Sequence, residues 1–491
     1  MNEKTHNKNK TCWFCPAFNF KGLVDFRACG QGTDANESDK EVFNLGECHR
    51  RPEVGQIGPD FETFETCPEW EKGPYGFQLK NMRVMILGID GYLGWSLALK
   101  LLNLGYDVSG IDNYSRRGWV KEKGGHTIVP IATMTRRLIK TMDSMGKNIN
   151  FREMNLQDRN RFRSFLEEVK PEAIVHYAEC PSAPYSMVDD DHAVFVQTNN
   201  VMGTLRLLFA MHDIVPGASL IKLGTMGEYG APMTGRPLFE GMFPADAILK
   251  WDNREWSLAG ELTPRDPASF YHVSKVQDTY NVFEACKYWG LRSYDVMQGV
   301  IYGVYLDEFE KDEELRSRFD VDEWFGTAIN RFVAQAVVGI PLTVYGAGGQ
   351  KRGFLALRDA MQCMVRLINS PPKPGVYDVV NQISGIYDLL DLAKTVKSIG
   401  EKEFGLKVKI QRLENPRIES DRHPYEAIYK NLPDKFGFQP EVTLEDEVSE
   451  MFKLLCRPEI KRRIEEKVHV ILPKTRWSGI KKDMKVIEVM E

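Results

Sequence analysis

Two short segments carry side chains able to move a proton and a hydride together: Gly224-Thr225-Met226-Gly227-Glu228-Tyr229-Gly230 and Phe270-Tyr271-His272-Val273-Ser274-Lys275. Tyr271 and Lys275 stand four apart, which on a helix puts them on one face. An ammonium beside a phenol is expected to lower the phenol's pKa from its reference of about 10. The phenolate can then take an alcohol's proton while hydride leaves the same carbon. The hydroxyl of Thr225, at the end of an expected strand, can hold that alcohol in place. Chance supplies many Tyr-x-x-x-Lys spacings. Here the spacing lies downstream of a nucleotide loop, and together they point to an oxidoreductase-type site.

That loop is Gly88-x-x-Gly91-x-x-Gly94, which follows the apolar run 83–87 and opens a helical periodicity over 92–104. Its glycines permit a tight turn and close approach of a pyrophosphate to the helix N-terminus. Asp112 ends the second strand run, eighteen residues past Gly94. A carboxylate there binds an adenosine ribose diol and repels a 2′-phosphate, which favours NAD over NADP. Arg116 and Arg117 nearby pull the other way, since they would tolerate a phosphate.

The elements that must position these groups alternate. Further apolar strands read at 106–111, 149–152, 173–177, 219–223 and 292–297, separated by helical stretches such as 193–211 and 270–288. Strand and helix in alternation imply an α/β fold, a Rossmann-type doubly wound parallel sheet with nucleotide at the strand C-termini. The stretches 113–148 and 231–268 read as insertions. We expect a Cys-rich module over 1–77, a dinucleotide-binding domain over 81–299, a smaller substrate lobe with returning elements over 300–480, and a tail over 481–491.

Composition sets outer limits. With 43% hydrophobic residues among 491 there is ample material for a core, and a net charge of -5 offers no global attraction to nucleic acid or an anionic membrane. No apolar run reaches the roughly 18 residues of a membrane span. The start is polar, so the expected location is cytoplasmic. Five of the nine cysteines precede residue 70, and the odd total argues against a disulfide framework. Cys12-x-x-Cys15, Cys48 and Cys67 suit a tetrahedral zinc, with an iron–sulfur cluster second and Cys29 or His49 as alternative ligands.

A series of motifs in order resembles the UDP-sulfoquinovose synthases, a branch of the extended short-chain dehydrogenases. It runs through Gly88-Ile89-Asp90-Gly91-Tyr92-Leu93-Gly94, Asp112-Asn113-x-x-Arg116, Ser182-Ala183-Pro184-Tyr185, Asn199-Asn200, Thr225–Gly230 and Tyr271–Lys275. It continues through Asn330-Arg331-Phe332, Leu342-Thr343-Val344-Tyr345, Gln350-x-Arg352 and Asn415-Pro416-Arg417 to Trp477. The likeness covers about residues 82–480 and leaves the Cys-rich segment aside.

The resemblance implies oxidation of the C4 hydroxyl of UDP-glucose with NAD as hydride acceptor. Tyr271 is then the base, Lys275 tunes it and Thr225 orients the alcohol. The ketone acidifies the C5 proton, whose loss expels the C6 hydroxyl, and sulfite adds at C6 before the hydride returns to C4. His272 is the first candidate to remove the C5 proton, Glu228 the second. The resemblance also assigns Asp90, Tyr92, Leu93, Asn113, Arg116, Asn155, Leu156, Tyr177 and Asn200 to the cofactor, and Gln298, Val344, Tyr345, Gln350, Arg352 and Arg417 to the UDP-sugar. A homodimer through the long helices, and sulfite or a sulfite-delivering protein as partner, follow by the same analogy.

Departures leave the hexose and the nucleophile open. Cys180-Pro181 stands where the family has Gln-Arg, Met297 where it has Asn, and Asn155 and Ala356 where it has Asp. Losing an arginine near the sugar removes a charge that a sulfonate would value. The alternatives are therefore 4-epimerisation or another C6 nucleophile, and, in a different class, a non-catalytic NAD-binding regulator. Intact Thr225, Tyr271 and Lys275 count against the last.

Overall fold

The apolar runs assemble as one twisted parallel sheet in a computed structural model that describes residues 81–232, 234–415, 425–472 and 485–490. The backbone of three short strands earlier in the chain is also described. The sheet strands are β1 (Arg83–Leu87), β2 (Asp107–Asp112), β3 (Asn150–Glu153), β4 (Ala173–His176), β5 (Ser219–Thr225), β6 (Arg292–Gln298) and β7 (Tyr377–Gln382). Their order is 3-2-1-4-5-6-7, and every pairing is parallel. The order reverses between β1 and β4, which opens a crevice at the strand C-termini. Six strands match the expected runs. The seventh, β7, returns from within the stretch assigned to the second lobe.

Helices on both faces explain why the central strands are apolar throughout. Helix α1 (Tyr92–Asn103) is buried from Gly94 to Leu102, lying between the sheet and helix α3 (Leu357–Asn369). Helix α2 (Phe270–Trp289) carries the Tyr-Lys pair; Ser269 caps its start by accepting from His272 N, and Gly290 ends it at φ 68°. The core beneath the sheet joins Met85, Leu87, Phe162, Leu207, Val282 and Met297. Each such side chain contributes about 1.5–3 kcal/mol when fully buried.

The second lobe has its own core, built on Phe332, Val333, Leu392, Val396, Val448 and Phe452. Strands Val300–Tyr302, Lys351–Ala356 and Gly385–Asp388 form one small sheet in it, and Leu342–Tyr345 pairs with Ile410–Leu413 and Val486–Met490 in another. The expected insertion at 113–148 folds as helices Ser115–Glu122 and Met134–Met145, and that at 231–268 carries an exposed hairpin, Ile248–Trp251 with Arg254–Ser257.

Towards the N-terminus, Phe18–Phe20, Gly46–Cys48 and Gln56–Ile57 pair antiparallel. Cys48 ends the middle strand, while Cys12, Cys15 and Cys67 lie outside the described residues. Among the described residues no cluster of His, Cys, Asp and Glu is arranged to hold a metal, and no helix is long and apolar enough to cross a membrane.

Candidate active site

The loop after β1 doubles back at Gly88, whose φ of 84° lies in the left-handed region. Gly88 N and Ile89 N both donate to Ile111 O, at 2.9 and 3.2 Å. A Cβ on Gly88 would sit 2.8 Å from the Tyr177 carbonyl carbon, and one on Gly94 would fall within 3.0 Å of Gly88 O. Both glycines are therefore fixed by backbone against backbone, and the N-terminus of α1 is left bare toward a cavity of about 400 Å³. Gly88, Gly91, Tyr92, Leu93 and Gly94 line it. Asp112, Asn113, Arg116, Asn155, Leu156 and Tyr177 complete this end.

Asp112 accepts from Asp90 N at 2.8 Å and from Tyr114 N at 2.7 Å. Burial first, then the Asp90 carboxylate beside it, pushes Asp112 up to about 6. Asp90 itself does not face the cavity. Its carboxylate is gripped by Arg117 at 2.7 and 2.6 Å and by buried Arg137 at 3.1 Å. Arg116 donates twice to Asp320, at 2.8 and 3.2 Å, with its guanidinium 3.9 Å from the centre of the Phe325 ring. Both arginines that left the cofactor's phosphate count open are thus committed to carboxylates. A glycine turn with no room for a Cβ, a bare helix N-terminus and a carboxylate at the end of β2 fit NAD.

Thr225, Tyr271, His272 and Gln298 line the opposite end of the same cavity. Thr225 closes β5, and its hydroxyl accepts from Gly227 N at 3.1 Å. Tyr271 and His272 occupy the first turn of α2, their rings 5.1 Å apart. Ser269 Oγ lies 3.1 Å from His272 Nδ1, so a proton on Nδ1 leaves Nε2 as the basic nitrogen. Nε2 packs over Gly227, where a Cβ would come within 3.0 Å of it. Gln298 Nε2 donates to Gln382 Oε1 at 2.7 Å.

Three expected site residues sit behind this surface. Glu228 is wholly buried: it braces its own turn by accepting from Thr225 N at 3.3 Å and from Thr279 Oγ1 at 2.9 Å, and it pairs with Lys222 at 3.4 Å. It does not line the chamber. Asn200, in a π-helical turn over Thr198–Met202, receives Cys180 N at 2.9 Å and donates to Ser274 Oγ at 3.0 Å, tying loop to helix. Lys275 is buried, its ammonium paired with Glu179. The expected lowering of the Tyr271 pKa is not met. Burial first, then the carboxylates of Glu179 and Glu228, raises the phenol above its ordinary value.

A second chamber of about 280 Å³ shares Pro181, Ala183, Val300, Phe325 and Thr327 with the first, so the two form one cleft. Tyr345, Gln350 and Arg352 line it. Val344 does not; it is buried in its strand opposite Arg412. Arg417 lies outside the described residues. Arg331, absent from the expected set although its motif was read, also lines this chamber, 5.6 Å from the Tyr345 ring. Glu179 in the first chamber was missed as well; its one local signal is a carboxylate just past the end of a buried strand.

The model of the NAD dependent epimerase/dehydratase family matches residues 84–381. The UDP-sulfoquinovose synthase of Sulfolobus acidocaldarius is 42% identical over 396 residues, 81% of this chain and 98% of that protein. The chloroplastic UDP-sulfoquinovose synthase of Spinacia oleracea is 39% identical over 398 residues, 81% of this chain and 80% of that one. Among solved structures, the UDP-glucuronic acid 4-epimerase from Bacillus cereus, in complex with UDP-glucuronic acid and NAD, superposes with a TM-score of 0.55 at 20% identity, covering 78% of this chain and 99% of that one. UDP-glucose 4-epimerase from Bifidobacterium longum, with NAD+ and UDP, gives 0.56 at 17%, covering 77% and 100%. At those identities the likeness is one of fold.

Proposed function

Because the chain belongs to the NAD dependent epimerase/dehydratase family, and within it groups with the UDP-sulfoquinovose synthases, we propose that it converts UDP-glucose and sulfite into the 6-sulfonated UDP-hexose. The observation that carries this reading is the single cleft with the bare glycine turn, Thr225, Tyr271 and His272 in one chamber and Arg331, Gln350 and Arg352 in the next. Bound NAD supplies the acceptor, and later the donor, of the hydride at C4. The glycine turn and Asp112 hold it at one end of the first chamber. Arg331 and Arg352 offer guanidinium forks to a diphosphate. Thr225 orients the C4 hydroxyl, Tyr271 receives its proton, and Lys275 steadies the phenol's charge. With C4 a ketone, His272 Nε2 takes the C5 proton and the C6 hydroxyl leaves as water with it; sulfite then adds through sulfur at C6 of the alkene while C5 regains a proton.

Pro181 favours a second reading. It forms part of the wall between the two chambers, where a guanidinium would otherwise stand in this family, so another nucleophile at C6 or simple 4-epimerisation is the alternative. Incubation with UDP-glucose, with and without sulfite, followed by mass spectrometry separates them. Sulfite-dependent replacement of a hydroxyl by a sulfonate is expected. A product mass indifferent to sulfite rejects the synthase reading.

The assembly is part of the same proposal. Phe209, Tyr280 and Tyr288 remain 53%, 48% and 70% exposed on helices Gly203–Ile214 and α2, a face suited to a second copy. A zinc site on Cys12, Cys15, Cys48 and Cys67, a cytoplasmic location and a sulfite-delivering partner complete it. Metal analysis of the full chain and of a variant lacking those four thiols tests the first of these.

A further inference from the structure

Lys275 is 1% exposed, and a buried ammonium must find a negative partner or lose its proton. Its partner here is Glu179, in the loop after β4, across ninety-six residues of sequence. Glu179 is itself nearly buried, its side chain 6% exposed, in the wall of the cofactor chamber. Among the described residues the other group within ion-pair reach of it is His176, 3.5 Å away on β4. That imidazole is kept neutral by burial, which pulls it down to about 4, and lies 3.2 Å from Thr204 Oγ1.

The remaining charges around the dyad are already matched. Lys222 on β5 donates to the Lys275 carbonyl at 3.3 Å, and its own charge is met by Asp295 on β6 at 3.1 Å and by Glu228 at 3.4 Å. Asp278, one turn along α2 from Lys275, is pushed well up by burial, then by Glu179. Cys180, beside the phenol, is pushed up to about 12 by burial and stays a neutral thiol. The His272 ring lies tilted beside the phenol. The Glu179 carboxylate thus acts on both members of the dyad: it is the first of the acidic groups holding the Lys275 ammonium, ahead of Asp278, and the first charge raising the Tyr271 phenol.

We propose that Glu179 is a positioning residue of the redox dyad: it anchors the Lys275 ammonium and competes with the Tyr271 phenolate for its charge. While the ion pair stands, the phenol keeps its proton, and it gives up that proton only when the chamber supplies further positive charge. The inference rests on Tyr271 acting as base, but not on which sugar or nucleophile is used.

The test is a spectrophotometric titration of tyrosinate in the full chain, wild type against Glu179→Gln, each corrected by its counterpart carrying Tyr271→Phe. The corrected difference isolates one phenol without any substrate. Removing one negative charge at an effective dielectric near 20 is expected to move that phenol's transition down by about 1–2 pH units. The acidic limb of the kcat/KM profile should move the same way, and Glu179→Asp should restore part of the shift. An unmoved or raised transition in a folded Gln variant overturns the proposal, as does a loss of thermal stability with both profiles unchanged. If the Gln variant does not fold, Glu179→Met, which keeps length without charge, gives the same reading. Sulfite dependence does not enter this measurement, so its failure and that of the synthase assignment are distinguishable.

Discussion

Replacing Gly227 by alanine separates the chemistry of His272 from its contribution to stability. The residue lies in the 3-10 turn Met226–Glu228, and its φ is outside the left-handed region, so alanine brings no backbone strain. The added methyl would fall within 3.0 Å of Nε2, Cε1 and Cδ2 of His272, and the ring must swing away. Swinging breaks the contact between Nδ1 and Ser269 Oγ, worth about 0.5–1.5 kcal/mol. Against that, losing a glycine stiffens the unfolded chain and returns about 0.4–1 kcal/mol. The net change is within about 1 kcal/mol, which moves Tm by no more than about 2–4 °C. A displaced general base, by contrast, costs about 10²–10⁴ in turnover. Formation of the sulfonated product should therefore collapse in Gly227→Ala while Tm and NAD affinity hardly change. A folded Gly227→Ala enzyme with kcat near that of the wild type would refute His272 as the acceptor of the C5 proton.

Two further perturbations have worked signs. Tyr271→Phe should reduce kcat by about 10²–10⁴-fold with UDP-glucose and NAD affinities preserved, measured by turnover and isothermal titration; undiminished turnover removes Tyr271 from the mechanism. Glu447 accepts from Val304 N and Tyr305 N at 2.7 and 3.1 Å, yet burial pushes it up to about 7. Its folded pKa lies above the unfolded one, so its stabilising share, roughly 3 kcal/mol, is complete below the unfolded pKa and fades as pH rises through about 7. Glu447→Gln should flatten the fall in Tm between about pH 5 and about pH 8, and an unchanged slope would show that another group carries it.

The parts of this site that the sequence discloses are those whose reason is local. Gly88 and Gly94 are demanded by their own loop, and Tyr271 and Lys275 by one helical face. Glu228 was legible too, but for the other role: Thr225-x-x-Glu228 has the spacing of a capping box, and the structure uses it so. Glu179 was invisible because its meaning lies in a lysine ninety-six residues on, and nothing at either position advertises the pairing. Asp90 misled for the same reason. Its place in the glycine loop suggests the cofactor, while Arg117 and Arg137, from the following insertion, claim it. Strand β7 was harder to place than the first six because it follows the small lobe's own strands rather than a plain strand-helix alternation.

The route of the chain through the cleft limits how this architecture can be altered. It leaves the sheet at Gly299 and again after Gln382, and these exits adjoin, Gly299 N donating to Gln382 O at 3.1 Å beside the Gln298–Gln382 side-chain bond. A crossover at the first exit alone would import a foreign β7 along with the foreign lobe. The first seam lines the reactive chamber, and the second is tied to it through Gln298. Transplanting a sugar-recognition module from a cousin enzyme therefore needs two matched splices, both made where fractions of an ångström govern turnover. New substrates are more accessible to this scaffold through point replacements lining the cleft, such as the one at Pro181, than by exchange of whole lobes.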